Sequence, residues 1–459
     1  MLASPRLAGL PAAYLQTQLR AFAGGQRKNA VMQRVAGALS AVEIRAVSTF
    51  YAAAPDPAAA VTVGLEPALL SRGAQLAERG RWTQEIPGCI QCHGQGGRGV
   101  GAVFPPLFHQ PASYLEAQLR AWQSRTRDPG PQGLMAAIAG KLSARDVQAV
   151  AGYFSAGAPG IAAVPATPPD AAADRSAPVA APASFSPPPE SALPSDEFGQ
   201  VVRQGRDIFD DPAGKAAAYV GNRLRCSSCH LDSGRKADSS PMWGAYVAYP
   251  AYRAKNGHVN TFAERLQGCF VYSMNGRAPP PGGPTLVALE SYAYWLSTGA
   301  PVGQRLPGRG YPKLPRPSLP ADYARGEQLY RQHCALCHAA DGGGQNAADG
   351  SMAFPALWGD ASFNWGAGMG DIGNAAAFIE ANMPLSQGGT LSDQEAWDVA
   401  TYMDSQERPQ DPRFDGSVGS TRARFHDSPD SMYGRRVAGR LLGDGSPTPA
   451  GRSPPDPVE

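Results

Sequence analysis

Residues 226–230 read CSSCH, and the pattern Cys-x-x-Cys-His occurs again as CIQCH at 89–93 and CALCH at 334–338. These three motifs use six of the seven cysteines in the 459-residue chain. The spacing is that of c-type haem attachment, where two thioether bonds hold the porphyrin and the adjacent histidine ligates the iron. Zinc sites and redox-active pairs share Cys-x-x-Cys but do not require the histidine. We therefore predict haem c as the cofactor, with three groups bound covalently on this chain.

Each motif supplies two attachment residues and one proximal ligand. The predicted attachment residues are Cys89, Cys92, Cys226, Cys229, Cys334 and Cys337, and the predicted proximal ligands are His93, His230 and His338. A six-coordinate haem also needs a distal ligand, at a similar distance after each motif. Met135 lies 42 residues after His93 and Met383 lies 45 residues after His338, so these methionines are the predicted distal ligands of two haems.

The corresponding window after His230 contains Cys269, 39 residues on, which is the one cysteine outside the three motifs. A lone cysteine is more often a small buried apolar residue than a ligand, but this position favours ligation of the iron. Met274 and His258 remain competing ligands for the same haem. Because a thiolate lowers the iron potential and methionine raises it, electrons are expected to leave the Cys269 haem for the two His/Met haems.

An internal repeat precedes the first motif. Residues 11–22, PAAYLQTQLRAF, match residues 111–122, PASYLEAQLRAW, and residues 31–40 match residues 134–143. The first 55 residues thus correspond to the second half of a haem domain whose attachment cysteines would lie before Met1. We therefore expect the true N-terminus to be missing, Met32 to lack an attached haem, and the full-length protein to carry a fourth.

The order of local patterns around each motif resembles class I cytochrome c. Gly73, Gly205 and Gly326 lie in a helix-like segment before their motifs, where the absence of a Cβ permits close helix crossing. Ser143 and Ser392 open the final helices with a capping signature, an acidic residue following three positions later. We predict a mainly α fold of tandem class I cytochrome c-like domains, the first only partial.

The predicted boundaries follow from these motifs and from composition. The segments are a C-terminal half-domain at 1–55, a cytochrome c domain at 65–157, a Pro/Ala-rich linker at 158–194, a catalytic domain with a His/Cys haem at 195–312, a cytochrome c domain with a His/Met haem at 313–443, and a disordered tail at 444–459.

Charge and hydropathy exclude some classes of protein. Lys and Arg number 41 and Asp and Glu 39, so no nucleic-acid partner is indicated. The chain has no apolar run of 18 residues, which predicts no membrane span. Because haem c is normally attached outside the bacterial cytoplasm, we predict a periplasmic protein whose signal peptide was lost with the missing N-terminus.

The Cys269 domain is rich in basic residues, a composition suited to a small anionic substrate because Arg offers a planar fork of donors to oxyanions. A solvated charged surface is the simpler explanation for any one of them. The cluster comprises Arg235, Lys236, Arg253, Lys255, Arg265 and Arg277, and Ser273 adds a hydroxyl four residues after the cysteine.

Residues 227–280, from SSCHLDSG to VYSMNGRAPP, resemble the thiosulfate dehydrogenases, dihaem cytochromes that couple two thiosulfates into tetrathionate. The resemblance continues through YRQHCALCH, FPALWG, AAAFIEANMPLSQG and QDPRFDGSVGSTRARFHDSPDSMYG, covering about residues 197–443. The N-terminal part resembles the dihaem cytochrome that accepts electrons from that enzyme, here fused in front of it.

The resemblance implies His230 and Cys269 as ligands of the active-site haem. It implies Arg265 and Ser273 in substrate binding, with Lys255 or Arg253 as a further cation. Some members carry Lys before the distal Met and exchange ligands on reduction, and here Asn382 stands in that position. The covalent role for Cys269 is a hypothesis: its thiolate carries one thiosulfate, which the second attacks.

The predicted activity is thiosulfate dehydrogenase, possible in reverse as a tetrathionate reductase. The predicted acceptor is a cytochrome c, a high-potential iron-sulfur protein or an oxidase. Two alternatives remain: a multihaem electron-transfer cytochrome without a substrate of its own, and a sulfur-oxidising cytochrome that links thiosulfate to a carrier protein.

Overall fold

The computed structural model describes residues 4–55, 66–127, 130–157, 185–253, 256–347 and 349–446. The helices are α1 Ala12–Ala23, α2 Ala30–Gly37, α3 Ala41–Ala53, α4 Pro67–Glu78, α5 Ile90–His93, α6 Ala112–Gln123, α7 Leu134–Gly140, α8 Ala144–Ser155, α9 Glu197–Asp210, α10 Pro212–Lys215, α11 Leu231–Gly234, α12 Met242–Tyr246, α13 Phe262–Gly268, α14 Pro284–Leu296, α15 Tyr323–His333, α16 Ala335–His338, α17 Ile372–Asn382, α18 Asp393–Asp404 and α19 Val418–Phe425.

The strands form four antiparallel pairs of two or three residues per strand. They are β1 Gly80–Arg81, β2 Ile86–Pro87, β3 Ala251–Arg253, β4 His258–Asn260, β5 Gln345–Asn346, β6 Met352–Phe354, β7 Arg436–Val437 and β8 Arg440–Leu441. The predicted mainly α class is confirmed. The chain divides into two units, one made of 1–170 with 345–354 and the other of 171–344 with 355–459.

Three helix pairs form the cores, and a glycine lies at each crossing as predicted. The pairs are α4 with α8, α9 with α14, and α15 with α18. A Cβ built on Gly73, Gly205 or Gly326 would collide with a backbone carbonyl of the partner helix and lie 2.9, 2.8 or 2.9 Å from the Cβ of a tyrosine. Those tyrosines are Tyr153, Tyr292 and Tyr402. The axes therefore approach to a distance that only glycine permits.

The predicted capping signatures are capping boxes in the structure. Ser40, Ser143 and Ser392 each accept a hydrogen bond from the backbone N–H three residues on, and the acidic side chain there accepts one in return. In α8 the acidic residue is Asp146, whose buried carboxylate also pairs with Arg72 at 2.7 Å and Arg81 at 2.9 Å. The capping residue Asp146 thus links α8 to α4 and to β1 through ion pairs.

The repeat appears in the first unit as a reciprocal pair of arginines. Arg27 and Arg127 are only 8% and 9% exposed and form a β-bridge with each other. Arg27 donates to Gln18 at 3.0 Å and Gln118 at 2.6 Å, and Arg127 donates to the same two glutamines at 3.0 and 2.9 Å. Tyr114 accepts a further bond from Arg27 at 2.8 Å. Equivalent side chains of the two copies thus share their acceptors.

The predicted linker at 158–194 lies partly outside the described residues, which resume at 185. From there the chain follows the second unit: Phe185 packs on Trp243 at 5.2 Å between ring centroids, and the Pro194 carbonyl accepts from Arg203 at 2.9 Å. Of the predicted tail at 444–459, residues 447–459 lie outside the described part. Within the described ranges, helices are too short or too polar to cross a membrane.

Candidate haem and catalytic site

The three predicted proximal histidines have one arrangement in common. Each Nδ1 donates to a backbone carbonyl: His93 to Pro105 at 2.8 Å, His230 to Ser240 at 2.6 Å, and His338 to Pro355 at 2.9 Å. A proton held on Nδ1 leaves the Nε2 lone pair available to a metal, the usual arrangement for a ligating imidazole. Burial lowers the pKa of His230 to about 4, which keeps that ring neutral.

The neighbouring cysteines also fit a covalently attached haem. None of the seven cysteines, all of which the structure describes, forms a disulfide. Burial raises the pKa of Cys89 and of Cys337 to about 12. A thioether sulfur carries no charge, which suits a sulfur in such a buried position. The residues present therefore fit haem c, held by the cysteine pairs and by Nε2 of each histidine.

Cys269 lies where an α-helix changes into a π-turn. Helix α13 begins at a capping box between Thr261 and Glu264 and ends at Gly268. The π-turn Cys269–Ser273 follows, and the N–H of Met274 donates to the Cys269 carbonyl at 2.9 Å. Such wider turns are frequent at functional sites. Cys269 raises the pKa of Cys229, after the larger effect of burial, so the two sulfurs lie within electrostatic range.

Arg265 is one turn before Cys269 on α13, and its Nη1 donates to the Cys269 sulfur at 3.0 Å. The charge of Cys269 is the largest cause of a raised pKa at Arg265, with Tyr249 and Tyr311 adding to it. Of the predicted substrate cations that the structure describes, Arg265 contacts the cysteine directly.

Of the other predicted site residues and basic residues, the structure gives the following positions. Arg253 is exposed on β3 and donates to the Tyr249 hydroxyl at 3.1 Å. Ser273 ends the π-turn and is half-buried. Lys255 lies outside the described residues. Arg277 is exposed and donates to the Ala218 carbonyl at 2.7 Å.

The two competing ligands for the His230 haem have different environments. Met274 is 3% exposed and directly follows the π-turn. His258 is exposed on β4, and its Nε2 lies 3.3 Å from a carboxylate oxygen of Glu264. Ligation by Cys269 stays a prediction.

The predicted distal methionines lie at helix ends. Met135 is in the first turn of α7, and Met32, its counterpart in the first copy, is in the first turn of α2. Met383 follows α17 as its C-cap, with its N–H donating to the Ile379 carbonyl at 2.8 Å. All three side chains are half-buried.

Asn382, which precedes Met383, is 1% exposed. Its Oδ1 accepts from Lys236 at 2.9 Å, and its Nδ2 donates to the Asp238 carbonyl at 3.1 Å. Lys236, predicted as part of the basic cluster, is thus bonded to the residue that precedes Met383, a predicted distal ligand.

Sequence reasoning missed several neighbours of Cys269. Tyr311 has a raised pKa caused chiefly by burial, with Cys229 and Cys269 contributing. Asn222 and Asn364 donate from their side chains to carbonyls of the π-turn, at 2.9 Å each. None of the three belongs to a recognisable motif, and their distance along the chain from Cys269 leaves no local signal.

Family comparisons match both kinds of haem domain. The family described as "Cytochrome C oxidase, cbb3-type, subunit III" matches residues 75–154 and 321–403. The family described as "SoxA/TsdA, cytochrome c domain" matches residues 204–302, which include His230 and Cys269.

Similar proteins include both parts of the predicted fusion. A thiosulfate dehydrogenase of Thiomonas intermedia is 61% identical over 58% of this chain and 85% of its own length. A thiosulfate dehydrogenase electron acceptor of Stutzerimonas stutzeri is 49% identical over 33% of this chain and 69% of its own length. The solved structure of thiosulfate dehydrogenase (TsdBA) from Marichromatium purpuratum, in its "as isolated" form, is 48% identical with a TM-score of 0.87, covering 97% of this chain and 92% of that one.

Proposed function

The chain belongs to the thiosulfate dehydrogenase family, and from this membership we propose that it oxidises two thiosulfate ions to tetrathionate beside Cys269. The observation that carries the proposal is the 3.0 Å contact between Arg265 on α13 and the sulfur of Cys269, the first residue after that helix. A guanidinium beside this sulfur supports a role for Cys269 as the nucleophile, and Cys229, a predicted attachment residue, lies within electrostatic range of it.

The first task of the site is to bring two dianions together. Their repulsion must be offset by positive charge that is already in place, because fixed groups need no rearrangement when the anions approach. Arg265 supplies that charge at the cysteine, and Arg253 is joined to the same neighbourhood through Tyr249. Ser273 and Lys255 are proposed as further substrate contacts.

Cys269 is proposed to act covalently. Its thiolate bonds to the sulfane sulfur of one thiosulfate with loss of two electrons, giving a cysteine S-thiosulfonate. The second thiosulfate attacks that sulfane sulfur, tetrathionate leaves, and the thiolate is restored without further oxidation. Covalent catalysis of this kind divides a difficult coupling into two steps. Arg265 stabilises the thiolate at the start and as the leaving group.

The two electrons are proposed to leave through the His/Met haem domains. Bound haem supplies one-electron redox chemistry at each attachment motif. The ligands proposed are His230 with Cys269, His338 with Met383, and His93 with Met135; thiolate ligation lowers and methionine ligation raises the potential. The Met383 haem is the proposed first acceptor, and the Met135 haem of the fused N-terminal part receives the electrons next. The proposed location is the periplasm, and the proposed onward partner is a cytochrome c, a high-potential iron-sulfur protein or an oxidase.

The test is thiosulfate-dependent haem reduction in the exported, haem-loaded protein, with tetrathionate measured as product and haem counted by mass. We expect three haems, and tetrathionate formation without any carrier protein. Formation of a carrier-linked product would favour a thiosulfate-linking cytochrome, and no reduction by thiosulfate would favour a pure electron-transfer protein.

The Cys269→Met variant tests the two roles proposed for the cysteine, as iron ligand and as nucleophile. Methionine can ligate iron but cannot form the S-thiosulfonate, so we expect tetrathionate formation to be lost and the potential of that haem to rise. Full thiosulfate oxidation with an unshifted potential would refute both roles of Cys269. Tyr252→Phe, on β3 and 66% exposed, is a control expected to leave activity unchanged.

A further inference from the structure

The backbone carbonyls that follow Cys269 are each bonded, although the π-turn cannot satisfy them all. The Cys269 and Phe270 carbonyls accept from backbone N–H groups a few residues later, at 2.9 and 2.8 Å. The next three accept from groups distant along the chain. A helix end leaves such acceptors without intrahelical partners, so the residues that bond them decide whether this end is stable.

Asn364 bonds two consecutive carbonyls of the π-turn. Its Nδ2 donates to the Val271 carbonyl at 2.9 Å, and its own backbone N–H donates to the Tyr272 carbonyl at 3.1 Å. The residue is 0% exposed. Its Oδ1 accepts from the N–H of Gly366 at 3.0 Å, so the amide orientation is determined by partners on both sides.

Asn222 bonds the third of these carbonyls, that of Ser273. Its Nδ2 donates to the Ser273 carbonyl at 2.9 Å and also lies 3.2 Å from the Ser362 carbonyl. The segment 362–366 thus meets the π-turn at neighbouring points. Gly366 shows how close this approach is, since a Cβ there would lie 2.9 Å from Cε1 of the Tyr272 ring.

We propose that Asn364, assisted by Asn222, is a positioning residue that holds the π-turn and thereby places the Cys269 sulfur beside Arg265. This rests on the proposed function at Cys269. Segment 362–366 lies between the third attachment motif and α17, so it belongs to the sequence of the Met383 haem domain. The domain that receives the electrons therefore also shapes the turn from which they come.

Asn364→Leu removes the amide donor and nearly preserves volume. It leaves the carbonyl of half-buried Val271 without its side-chain partner, and polar groups inside a protein are rarely left unbonded. We expect the near-infrared band of the thiolate-ligated haem to lose at least about half of its intensity, and kcat/KM for thiosulfate to fall about tenfold, as for the loss of one hydrogen bond to a buried group. The potential of the His338 haem should stay unchanged.

The matched control is Gln406→Leu. Gln406 is half-buried and follows α18 in the same haem domain as Asn364. Its Nε2 donates to the Tyr402 carbonyl at 3.0 Å and not to a carbonyl of the π-turn. We expect the thiolate band and kcat/KM to match the wild type. Equal losses in both variants would mean general destabilisation and overturn the proposal.

Asn222→Ala covers the case in which Asn364→Leu does not fold. It removes the donor to the Ser273 carbonyl and is expected to weaken the thiolate band in the same direction. A wild-type band and unchanged kinetics in a folded variant at either asparagine overturn the proposal. If the wild type itself neither oxidises thiosulfate nor shows a thiolate band, the proposed function fails instead.

Discussion

Replacing Arg265 with Gln removes the cation beside the Cys269 sulfur while keeping a polar side chain. At the observed 3.0 Å, two unit charges attract by roughly 5–6 kcal/mol at an effective dielectric constant near 20. Charge-assisted hydrogen bonds contribute a net of only about 1.5–3 kcal/mol, because both partners give up water. We use the net hydrogen-bond contribution rather than the Coulomb energy. At about 1.4 kcal/mol per factor of ten, this contribution predicts a roughly 10- to 150-fold lower kcat/KM for thiosulfate.

The assay is stopped-flow haem reduction by thiosulfate, combined with a redox titration. The variant should also have a lower potential at the His230 haem, because a thiolate without its hydrogen bond donates more electron density to iron. Arg277→Gln is the control: its exposed guanidinium bonds the Ala218 carbonyl rather than the cysteine. An Arg265→Gln protein with unchanged kcat/KM and potential, or an equal loss in the control, would refute the reasoning.

Two further outcomes concern the stability of the first unit. Gly73→Ala should lower the Tm of this unit by up to about 8 °C, because overpacking against the backbone costs up to about 3 kcal/mol against the ~1 kcal/mol gained in helix propensity; Gly140→Ala, with nothing within 4 Å of the added Cβ, should not lower it. Burial alone would raise the pKa of Asp146, but hydrogen bonds from Arg81 and Ser143 lower it to about 2. The ionised Asp146 carboxylate therefore adds about 2 kcal/mol to the free energy of unfolding above about pH 4, and this contribution is lost as pH falls towards 2. Thermal unfolding at a series of pH values should show this acid loss in the wild type and a flatter profile in Asp146→Asn.

The features that could be predicted from the sequence are those that short, local patterns determine. Two residues and a fixed spacing suffice for a capping box, so Ser143 was assigned correctly. A glycine before each attachment motif predicts a close helix crossing, because in all three domains the absence of a Cβ lets the partner helix approach. The mainly α class follows from repetition of these patterns.

The parts that could not be predicted depend on contacts between distant segments. Lys236 is one of six basic residues in the Cys269 domain and nothing in the sequence sets it apart, yet the structure bonds it to Asn382, 146 residues further along the chain. Asn364 lies 95 residues after Cys269, and an asparagine in a loop has no periodicity to reveal its partner. Which cation or amide serves the site is decided by tertiary packing.

The paired arginines of the first unit affect whether one copy of the repeat can be produced as a separate domain. Arg27 and Arg127 share Gln18 and Gln118 as acceptors. A fragment containing only the second copy would keep the bond between Arg127 and Gln118, but Arg127 would lose Gln18 and Gln118 would lose Arg27. Anyone excising that domain as a stand-alone electron carrier should redesign this surface, and any change at one arginine should be paired with the matching change at the other.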